Sequence, residues 1–146
     1  MFYGEYSHTL DKKGRIIIPA RFRDVVREMC IEKFYITRGL DECLFMFSES
    51  EWRSQESKFK TLPFTKQKVR QFNRLFFSGA VEAVPDKQWR ILVPGYLKSY
   101  AKLSKNIVIA GVSTRIEIWD KDKWNEFYKS SKANYEQTAE KLMDFE

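Results

Sequence analysis

A nine-residue pattern occurs twice in this chain of 146 residues. Residues 11–19 read DKKGRIIIP and residues 86–94 read DKQWRILVP, so both copies fit Asp-Lys-x-x-Arg-Ile-aliphatic-aliphatic-Pro. A match of this length, which begins once at Asp11 and again at Asp86, indicates two copies of one structural unit. Units of about 70 residues bury too little apolar surface for a large core of their own. We therefore expect two halves that share one core.

The residue types within the pattern predict a turn followed by a strand. Asp11 can accept a hydrogen bond from the backbone two residues further on, and Gly14 can adopt the positive φ that tight hairpins need. The three aliphatic residues that follow favour a buried strand. Pro19 closes this strand and can occupy the first position of a helix. Each half is thus predicted to begin as strand, basic turn, strand and helix.

Two further pairs of residues extend the repeat towards the end of the chain. Gly39 recurs as Gly111 and Trp52 recurs as Trp124, and both pairs have the same spacing. This spacing is 72 residues, whereas the nine-residue pattern recurs after 75 residues. The second half therefore lacks three residues after its helix. The predicted division is a first unit over 1–52, linker helices over 53–76, a second unit over 77–124 and a C-terminal helix or tail over 125–146.

Hydrophobic periodicity predicts the elements on either side of the repeated pattern. Residues 2–10 alternate as in a strand, whereas residues 19–29 have the apolar spacing of an amphipathic helix, with arginines on its polar face. Ser48 and Glu51 form a capping box that predicts another helix start. Asp120 can cap a single closing helix with an apolar stripe. Further strands are predicted over 33–38, 43–47, 106–110 and 115–119, with Gly111 beginning the turn between the last two.

The charge of the chain favours a polyanionic partner. Its 26 Lys and Arg residues outnumber its 20 Asp and Glu residues, which gives a net charge of +6. This excess favours nucleic acid over a membrane surface. Lys12, Lys13 and Arg15 lie on the first predicted hairpin, and Lys87 and Arg90 repeat them in part. Two interpretations stay open: the basic tips keep the sheet soluble, or they contact phosphates while an arginine reads guanine O6 and N7.

Few patterns in the sequence suit catalysis. His8 is the one histidine, and P-loop, GxGxxG, HExxH and GxSxG patterns are absent. Asp11 and Asp86 could form a catalytic carboxylate pair if the halves pack about a twofold axis. The simpler interpretation is that each aspartate binds its own turn or the arginine four residues later. We therefore expect a protein without enzymatic activity.

The remaining chemistry-bearing residues also point away from cofactors. Cys30 and Cys43 lack the spacing of metal ligands and are interpreted as buried thiols in a reducing compartment. The sequence shows no apolar run of membrane-span length and no signal-peptide pattern. These features predict a cytoplasmic protein that binds neither a metal nor a cofactor and has no contact with a membrane.

Several motifs together resemble one known family. They are FYGEY at 2–6, the first repeated pattern at 11–19, TRGLD at 37–41, RLFFSGA at 74–80 and RIEIW at 115–119. The sequence resembles the MraZ regulators, which belong to the AbrB/SpoVT family, from Met1 to about Phe127. The resemblance implies an α+β, β-rich fold in which two AbrB-like swapped-hairpin βαβ units form one pseudo-twofold β-barrel, with additional linker and C-terminal helices.

The resemblance also implies a function. Members are transcription regulators, mostly repressors, that bind direct repeats of double-stranded DNA upstream of the division and cell-wall gene cluster. They form ring-like homo-oligomers, so an octamer-type ring in the cytoplasm and nucleoid is expected. The alternative is an AbrB-like antitoxin that clasps a toxin, against which the two-unit layout argues. The expected DNA-binding residues are Lys12, Lys13, Gly14, Arg15, Lys87 and Arg90, with Asp11 and Asp86 holding the hairpins.

One position departs from the pattern of the family. Trp89 stands where a glycine is usual, at the place that Gly14 occupies in the first copy. A residue other than glycine in a left-handed conformation costs about 1 kcal/mol or more. Three explanations stay open: the second turn has another geometry, it is strained, or the indole packs on a neighbour.

Overall fold

The computed structural model describes residues 1–144, which contain eight strands and six helices. In chain order these are β1 (Phe2–Thr9), β2 (Arg15–Ile17), α1 (Ala20–Glu28), β3 (Phe34–Arg38), β4 (Leu44–Ser48), α2 (Glu49–Lys60), α3 (Gln67–Ser78), β5 (Val81–Ala83), β6 (Arg90–Leu92), α4 (Gly95–Tyr100), β7 (Asn106–Ser113), β8 (Arg115–Asp120), α5 (Lys121–Lys132) and α6 (Tyr135–Met143). The fold class is α+β, as predicted. The last two residues of the predicted tail lie outside this range.

The strands form two antiparallel sheets in which the halves of the chain are interleaved. The large sheet has the order β1-β7-β8-β4-β3-β5, and β2 pairs with β6 in a separate two-stranded sheet. The first strand of each half pairs with the other half, since β1 lies beside β7 and β5 lies beside β3. Each half thus lends its first strand to the other. The closed barrel that the resemblance implies stays a prediction.

An approximate twofold axis relates the two halves. At the centre of the small sheet Ile16 lies opposite Ile91, which is its equivalent in the second copy of the nine-residue pattern. In the large sheet Phe45 of β4 lies opposite Glu117 of β8, which is its equivalent at the spacing that relates Gly39 to Gly111. Equivalent residues face each other only where a twofold axis passes between them. The internal repeat read from the sequence is therefore a structural repeat.

The two halves share one core, as predicted. Ile16 and Ile91 have 1% and 2% of their surface exposed, and both lie in the same cluster of buried residues. Full burial of such a side chain stabilises the fold by about 1.5–3 kcal/mol. Phe2 adds an edge-to-face contact with Phe22, at 5.3 Å between ring centres. Other buried members come from both halves and include Ile18, Phe34, Leu44, Val93, Leu97, Ile107 and Ile118.

The prediction that Gly111 begins a turn is wrong. Gly111 lies inside β7, which continues to Ser113, and it is opposite Gly4 of β1. A Cβ built at Gly111 would lie 2.5 Å from the backbone carbonyl carbon of Phe2. The glycine is needed because β1 approaches closely here. This reason was hidden in the sequence, since the partner strand lies at the opposite end of the chain.

The helix starts agree with the predicted caps, but the chain end does not. Ser48 Oγ accepts a hydrogen bond from the Glu51 N–H at 3.3 Å, and Asp120 Oδ2 accepts one from the Asp122 N–H at 3.2 Å. The single closing helix is in fact two helices, α5 and α6, separated by residues 133–134. Asn134 stands at the N-cap of α6, a position that asparagine prefers over a helix interior.

The expectation of two buried thiols holds for one of them. Cys43 is fully buried, and burial, reinforced by the charge of Glu117, raises the pKa of its thiol. Cys30 is exposed. It follows the last turn of α1 with φ of 53°, and this left-handed residue turns the chain away from the helix, which leaves the side chain outside the core. Within residues 1–144, no helix has the length and apolar character to cross a membrane.

Candidate nucleic-acid interface

The first repeated turn is built around the carboxylate of Asp11. Its Oδ1 accepts hydrogen bonds from the N–H groups of Lys13 and Arg15, both at 2.9 Å. Its Oδ2 accepts one from Arg15 Nε at 2.8 Å. The N–H of Gly14 closes the turn on the carbonyl oxygen of Asp11 at 3.0 Å. One aspartate therefore organises the backbone and holds the arginine side chain.

The second turn repeats this network almost atom for atom. Asp86 Oδ1 accepts from the N–H groups of Gln88 and Arg90, at 2.8 and 2.9 Å, and Oδ2 accepts from Arg90 Nε at 2.8 Å. The Trp89 N–H donates to the Asp86 carbonyl oxygen at 3.0 Å. Of the three explanations for Trp89, a different turn geometry is thus excluded.

The same contacts favour the ionised form of both aspartates. The N–H of Arg15 is the largest influence on Asp11, and together with the Arg15 side chain it lowers the pKa of the carboxyl group against a smaller opposing effect of desolvation. Arg90 lowers the pKa of Asp86 in the same way. Each carboxylate is engaged by its own turn and its own arginine. This is the simpler interpretation, and it leaves neither aspartate available as one member of a catalytic pair.

Each arginine is held at one edge and free at the other. The Nε atoms of Arg15 and Arg90 bind their aspartates, and the side chains are 27% and 26% exposed. Within residues 1–144, the terminal Nη atoms of either arginine make no hydrogen bond to the protein. The fixed Nε limits the rotamers of the side chain, while the terminal nitrogens can donate to a ligand.

Both arginines emerge from one face of the small sheet. Successive residues of a strand point to opposite faces, so the buried Ile16 and Ile91 place their neighbours on the outer face. That face consists of Arg15 opposite Leu92 and Ile17 opposite Arg90. We call these four residues the ribbon face. The arginines lie at diagonal corners, and the two exposed aliphatic side chains lie between them.

Trp89 is both strained and packed. Its φ is +62°, close to the +79° of Gly14, so the tryptophan occupies the left-handed conformation that favours glycine. The indole lies against the core, and the guanidinium carbons of Arg27 and Arg23 lie 5.1 and 6.0 Å from its ring centre. Cation–π contacts of this length contribute about 0.5–1 kcal/mol at exposed sites. The packing therefore offsets part of the backbone strain.

The contacts of Trp89 bring two cations to the second turn that the sequence did not assign to the site. Arg23 and Arg27 are spaced one turn apart on α1, and Arg23 Nε is fixed on the Ile18 carbonyl oxygen at 2.9 Å. The signal available in the sequence was this spacing, together with a tryptophan where the repeat has glycine. Arg23 also faces His8, whose pKa is lowered by burial and then by the arginine charge. His8 is thus a half-buried side chain whose surroundings favour the neutral form.

The lysines of the turns stand apart from these networks. Lys12, Lys13 and Lys87 are exposed, and no ion pair within residues 1–144 involves them. The second turn has Gln88 in place of Lys13. The structure thus places the predicted site residues at two turns of the small sheet, and their role in binding DNA stays a prediction. The part of the chain that the structure describes holds no cluster of three or more metal-ligating side chains.

The repeated architecture has a counterpart in comparisons with known proteins. The family model described as "MraZ protein, putative antitoxin-like" matches residues 1–75 and matches again over residues 76–146. The chain belongs to the MraZ family. The two matches meet at residues 75 and 76, just before the predicted second unit, and each matched segment contains one Asp–Arg turn.

A named member of the MraZ family is similar over its whole length. The protein named "Transcriptional regulator MraZ" from Carboxydothermus hydrogenoformans is 54% identical over 145 residues, which cover 99% of this chain and 99% of the relative. MraZ proteins are transcriptional regulators and not enzymes, and this chain is a transcriptional regulator of that family. The family and the absence of enzymatic activity were both predicted from the sequence.

Proposed function

We propose that this MraZ protein binds specific DNA sequences through the ribbon face. The observation that carries the proposal is the pair of identical Asp–Arg turns, each with an arginine whose inner edge is fixed and whose outer nitrogens are free. An arginine placed in this way can donate to guanine O6 and N7 in the major groove. The groove is about 12 Å wide and admits a two-stranded ribbon.

The other residues of the face have complementary roles in this proposal. Ile17 and Leu92 are exposed between the arginines and can contact the methyl group of thymine. Lys12, Lys13 and Lys87 surround the face and contact phosphates, which orient the protein on DNA without reading its sequence. Gly14 allows close approach of the first turn, and Asp11 and Asp86 hold the two turns.

We further propose the regulatory context of the family for this chain. It represses the division and cell-wall gene cluster by binding direct repeats upstream of its own gene, in the cytoplasm and on the nucleoid. The resemblance described above supports this context, and the name of the relative supports a role in the regulation of transcription. The swapped-hairpin barrel of the family would place the two turns at opposite ends of the ribbon.

Assembly into a ring-like homo-oligomer, of octamer type, is part of the same proposal. An open groove of about 680 Å³ lies between α5 and α6, and Tyr135 and Leu142 of α6 are 74% and 68% exposed. Apolar surface of this kind is typical of subunit contacts. Several identical ribbon faces in one ring would engage several direct repeats at once. Light scattering should therefore give a mass well above the 17.5 kDa of one chain, and a monomer at micromolar concentration would contradict the assembly.

A mobility-shift experiment tests the DNA-binding function. The DNA is the region upstream of the protein's own gene, with a scrambled duplex of the same length and composition as control. The wild-type protein should prefer the upstream DNA, and the preference should persist as salt is raised. Equal binding to both duplexes at every salt concentration would refute sequence-specific recognition.

The description of the matching family model favours one alternative, an antitoxin that also binds DNA. In that case the exposed apolar surface of α5 and α6 would clasp a toxin rather than another copy of the chain. The two functions differ in what the purified protein does alone. Selective DNA binding by a purified homo-oligomer supports the regulator, whereas a stable complex with a toxin that silences its activity supports the antitoxin.

A further inference from the structure

The hairpin formed by α2 and α3 carries a concentration of positive charge that the proposed DNA site does not use. Residues 57–81 contain six Lys and Arg residues and no Asp or Glu. By contrast, the whole chain has 20 acidic residues against 26 basic ones. We call the six cations the hairpin patch. They are Lys58, Lys60, Lys66, Lys68, Arg70 and Arg74.

The patch is mounted on a rigid support. Phe59 of α2 packs on Phe72 of α3 at 4.8 Å between ring centres, and Trp52 stacks on Phe76 at 5.4 Å. At the turn, Arg70 Nη1 donates to the carbonyl oxygens of residues 64 and 65, at 3.1 and 3.0 Å. The aromatic contacts fix the two helices against each other. The cations are therefore held in place rather than carried on a free loop.

Little in the protein balances these charges. Five of the six side chains belong to exposed residues, with Arg70 partly buried. The one ion pair within residues 1–144 that involves the patch joins Lys60 to Glu56 at 4.0 Å. The first turn of α3 has no acidic residue, and its N-cap, Lys66, provides no side-chain hydrogen bond. Cations near the positive end of a helix dipole destabilise it, so an anionic partner would relieve this repulsion.

The arrangement of the cations favours a linear partner over a flat one. Lys66 at the N-cap of α3 and Arg70 and Arg74 within the helix follow each other at four-residue intervals. This spacing puts them on one side of the helix in a row about 12 Å long, at about 6 Å per step. One strand of DNA carries a phosphate every 3.4 Å or so along its axis. A membrane would instead be contacted by the turn, where Leu62 and Phe64 are exposed, and not by a row of cations along α3.

We propose that the hairpin patch is a second DNA-binding surface that contacts phosphates without reading bases. The proposal rests on the DNA-binding function proposed above and adds a contact to it. The ribbon face supplies selectivity, and the patch supplies affinity for any duplex. Its signature is the salt dependence of binding, because each phosphate contact contributes about 0.9 to the slope of log K against log salt concentration.

The experiment compares three variants of the full-length chain. The patch variant exchanges Lys58, Lys60, Lys66 and Lys68 for glutamine. The matched control removes the same charge elsewhere by exchanging Lys98, Lys102, Lys105 and Lys121, all exposed and outside the groove between α5 and α6, for glutamine. A third variant exchanges the four patch lysines for arginine, which keeps the charge. Circular dichroism and thermal melts confirm folding, and binding to upstream and scrambled duplexes is measured from 50 to 300 mM KCl.

We expect the patch variant to lose affinity for both duplexes by at least about tenfold at 100 mM KCl, with a slope shallower by up to about 3.6. Its preference for upstream over scrambled DNA should stay at the wild-type value. The arginine variant should match the wild type, and the control should keep a wild-type slope. An unchanged salt slope in the patch variant, or an equal loss of affinity and slope in the control variant, would overturn the proposal.

Three further outcomes separate this proposal from the alternatives. If the wild type binds both duplexes equally but the patch variant has a shallower salt slope, sequence-specific recognition is refuted and DNA binding by the hairpin patch is supported. A wild-type protein that binds neither duplex overturns both. Binding to vesicles that contain phosphatidylglycerol tests a membrane as the alternative partner. Vesicle binding that depends on the four lysines and on Phe64, together with an unchanged DNA slope, would assign the patch to a lipid surface and overturn the DNA contact.

Discussion

The two Asp–Arg turns have the same backbone and different side chains. In the first turn Gly14 adopts φ of +79° without strain, whereas in the second Trp89 adopts φ of +62°. Both aspartates nevertheless accept the same three hydrogen bonds, and the corresponding lengths are nearly identical. The comparison teaches that the aspartate network sets the shape of the turn. Glycine lowers the conformational cost but is not required where packing supplies a compensation.

The strands that precede these turns differ more than the turns do. β1 has eight residues and β5 has three, although the pattern Phe-x-Gly opens both regions at 2–4 and 77–79. In the second half Phe77 belongs to α3, where it packs on Trp52 at 5.7 Å and on Phe59 at 6.1 Å. Phe2 instead packs on Phe22 in the core. The same Phe-x-Gly pattern thus lies in a strand in the first half and at the end of a helix in the second. The side chains on which the phenylalanine can pack account for the difference.

The largest effect is expected from removing the arginine of either turn. Arg15→Ala should keep its fold but lose preference for upstream DNA by about 5- to 150-fold for each contact removed, which is the range of a bidentate guanine contact. Because Arg90 has the same contacts as Arg15, Arg90→Ala should lose a comparable factor. Arg53→Ala on α2 is the matched control. Competition binding with scrambled DNA measures the ratio, and wild-type selectivity in Arg15→Ala would refute the role of the ribbon face.

A side chain placed at Gly14 should destabilise the first turn. In Gly14→Ala the new Cβ would lie 3.2 Å from the Val93 carbonyl oxygen while the backbone stays left-handed. We expect a loss of about 1–2 kcal/mol in the free energy of unfolding. Urea denaturation at one protein concentration measures it. A variant as stable as the wild type would show that the first turn tolerates a side chain at this position. The contrast between an unstrained Gly14 and a strained Trp89 would then be refuted.

The opposite exchange in the second turn should have a smaller effect, because two contributions oppose each other. Trp89→Gly relieves strain of about 1 kcal/mol but removes a partly buried indole worth about 1–3 kcal/mol. We therefore expect a net destabilisation of roughly 1 kcal/mol by urea denaturation. Arg27→Ala removes the cation above the ring and should reproduce a fraction of this loss. A stabilised Trp89→Gly protein would mean that strain outweighs packing.

The smallest effect is the pH dependence of stability, which should be equal for the two turns. Asp11 and Asp86 have a lower pKa in the folded protein, first because of the N–H groups of Arg15 and Arg90. Unfolded aspartate titrates near pH 3.9, so the stability from each carboxylate is present above about pH 4 and is lost as pH falls through the folded pKa. Asp11→Asn and Asp86→Asn should each lower Tm at pH 6, with a gap that narrows towards pH 3. A gap independent of pH would contradict this assignment.

The features that could be predicted from the sequence are those encoded locally or by repetition. The match between residues 11–19 and 86–94 was sufficient to predict a shared core, and Asp11 with Arg15 was sufficient to predict a turn held by its own aspartate. Gly111 was misread because its close neighbour is the backbone of Phe2 on a distant strand. The surroundings of Trp89 were open for the same reason, since Arg27 meets it only after α1 packs on the second turn.

The exchange of first strands between the halves has a consequence during synthesis. β1 leaves the ribosome well before its partner β7, which ends at Ser113. At about 5–20 residues per second, the interval between the two lasts roughly 5–20 s. During this time β1 lacks the strand with which it pairs, and the first half cannot complete its fold. Until β7 has been made, the open edge of β1 must therefore be kept from pairing with other chains.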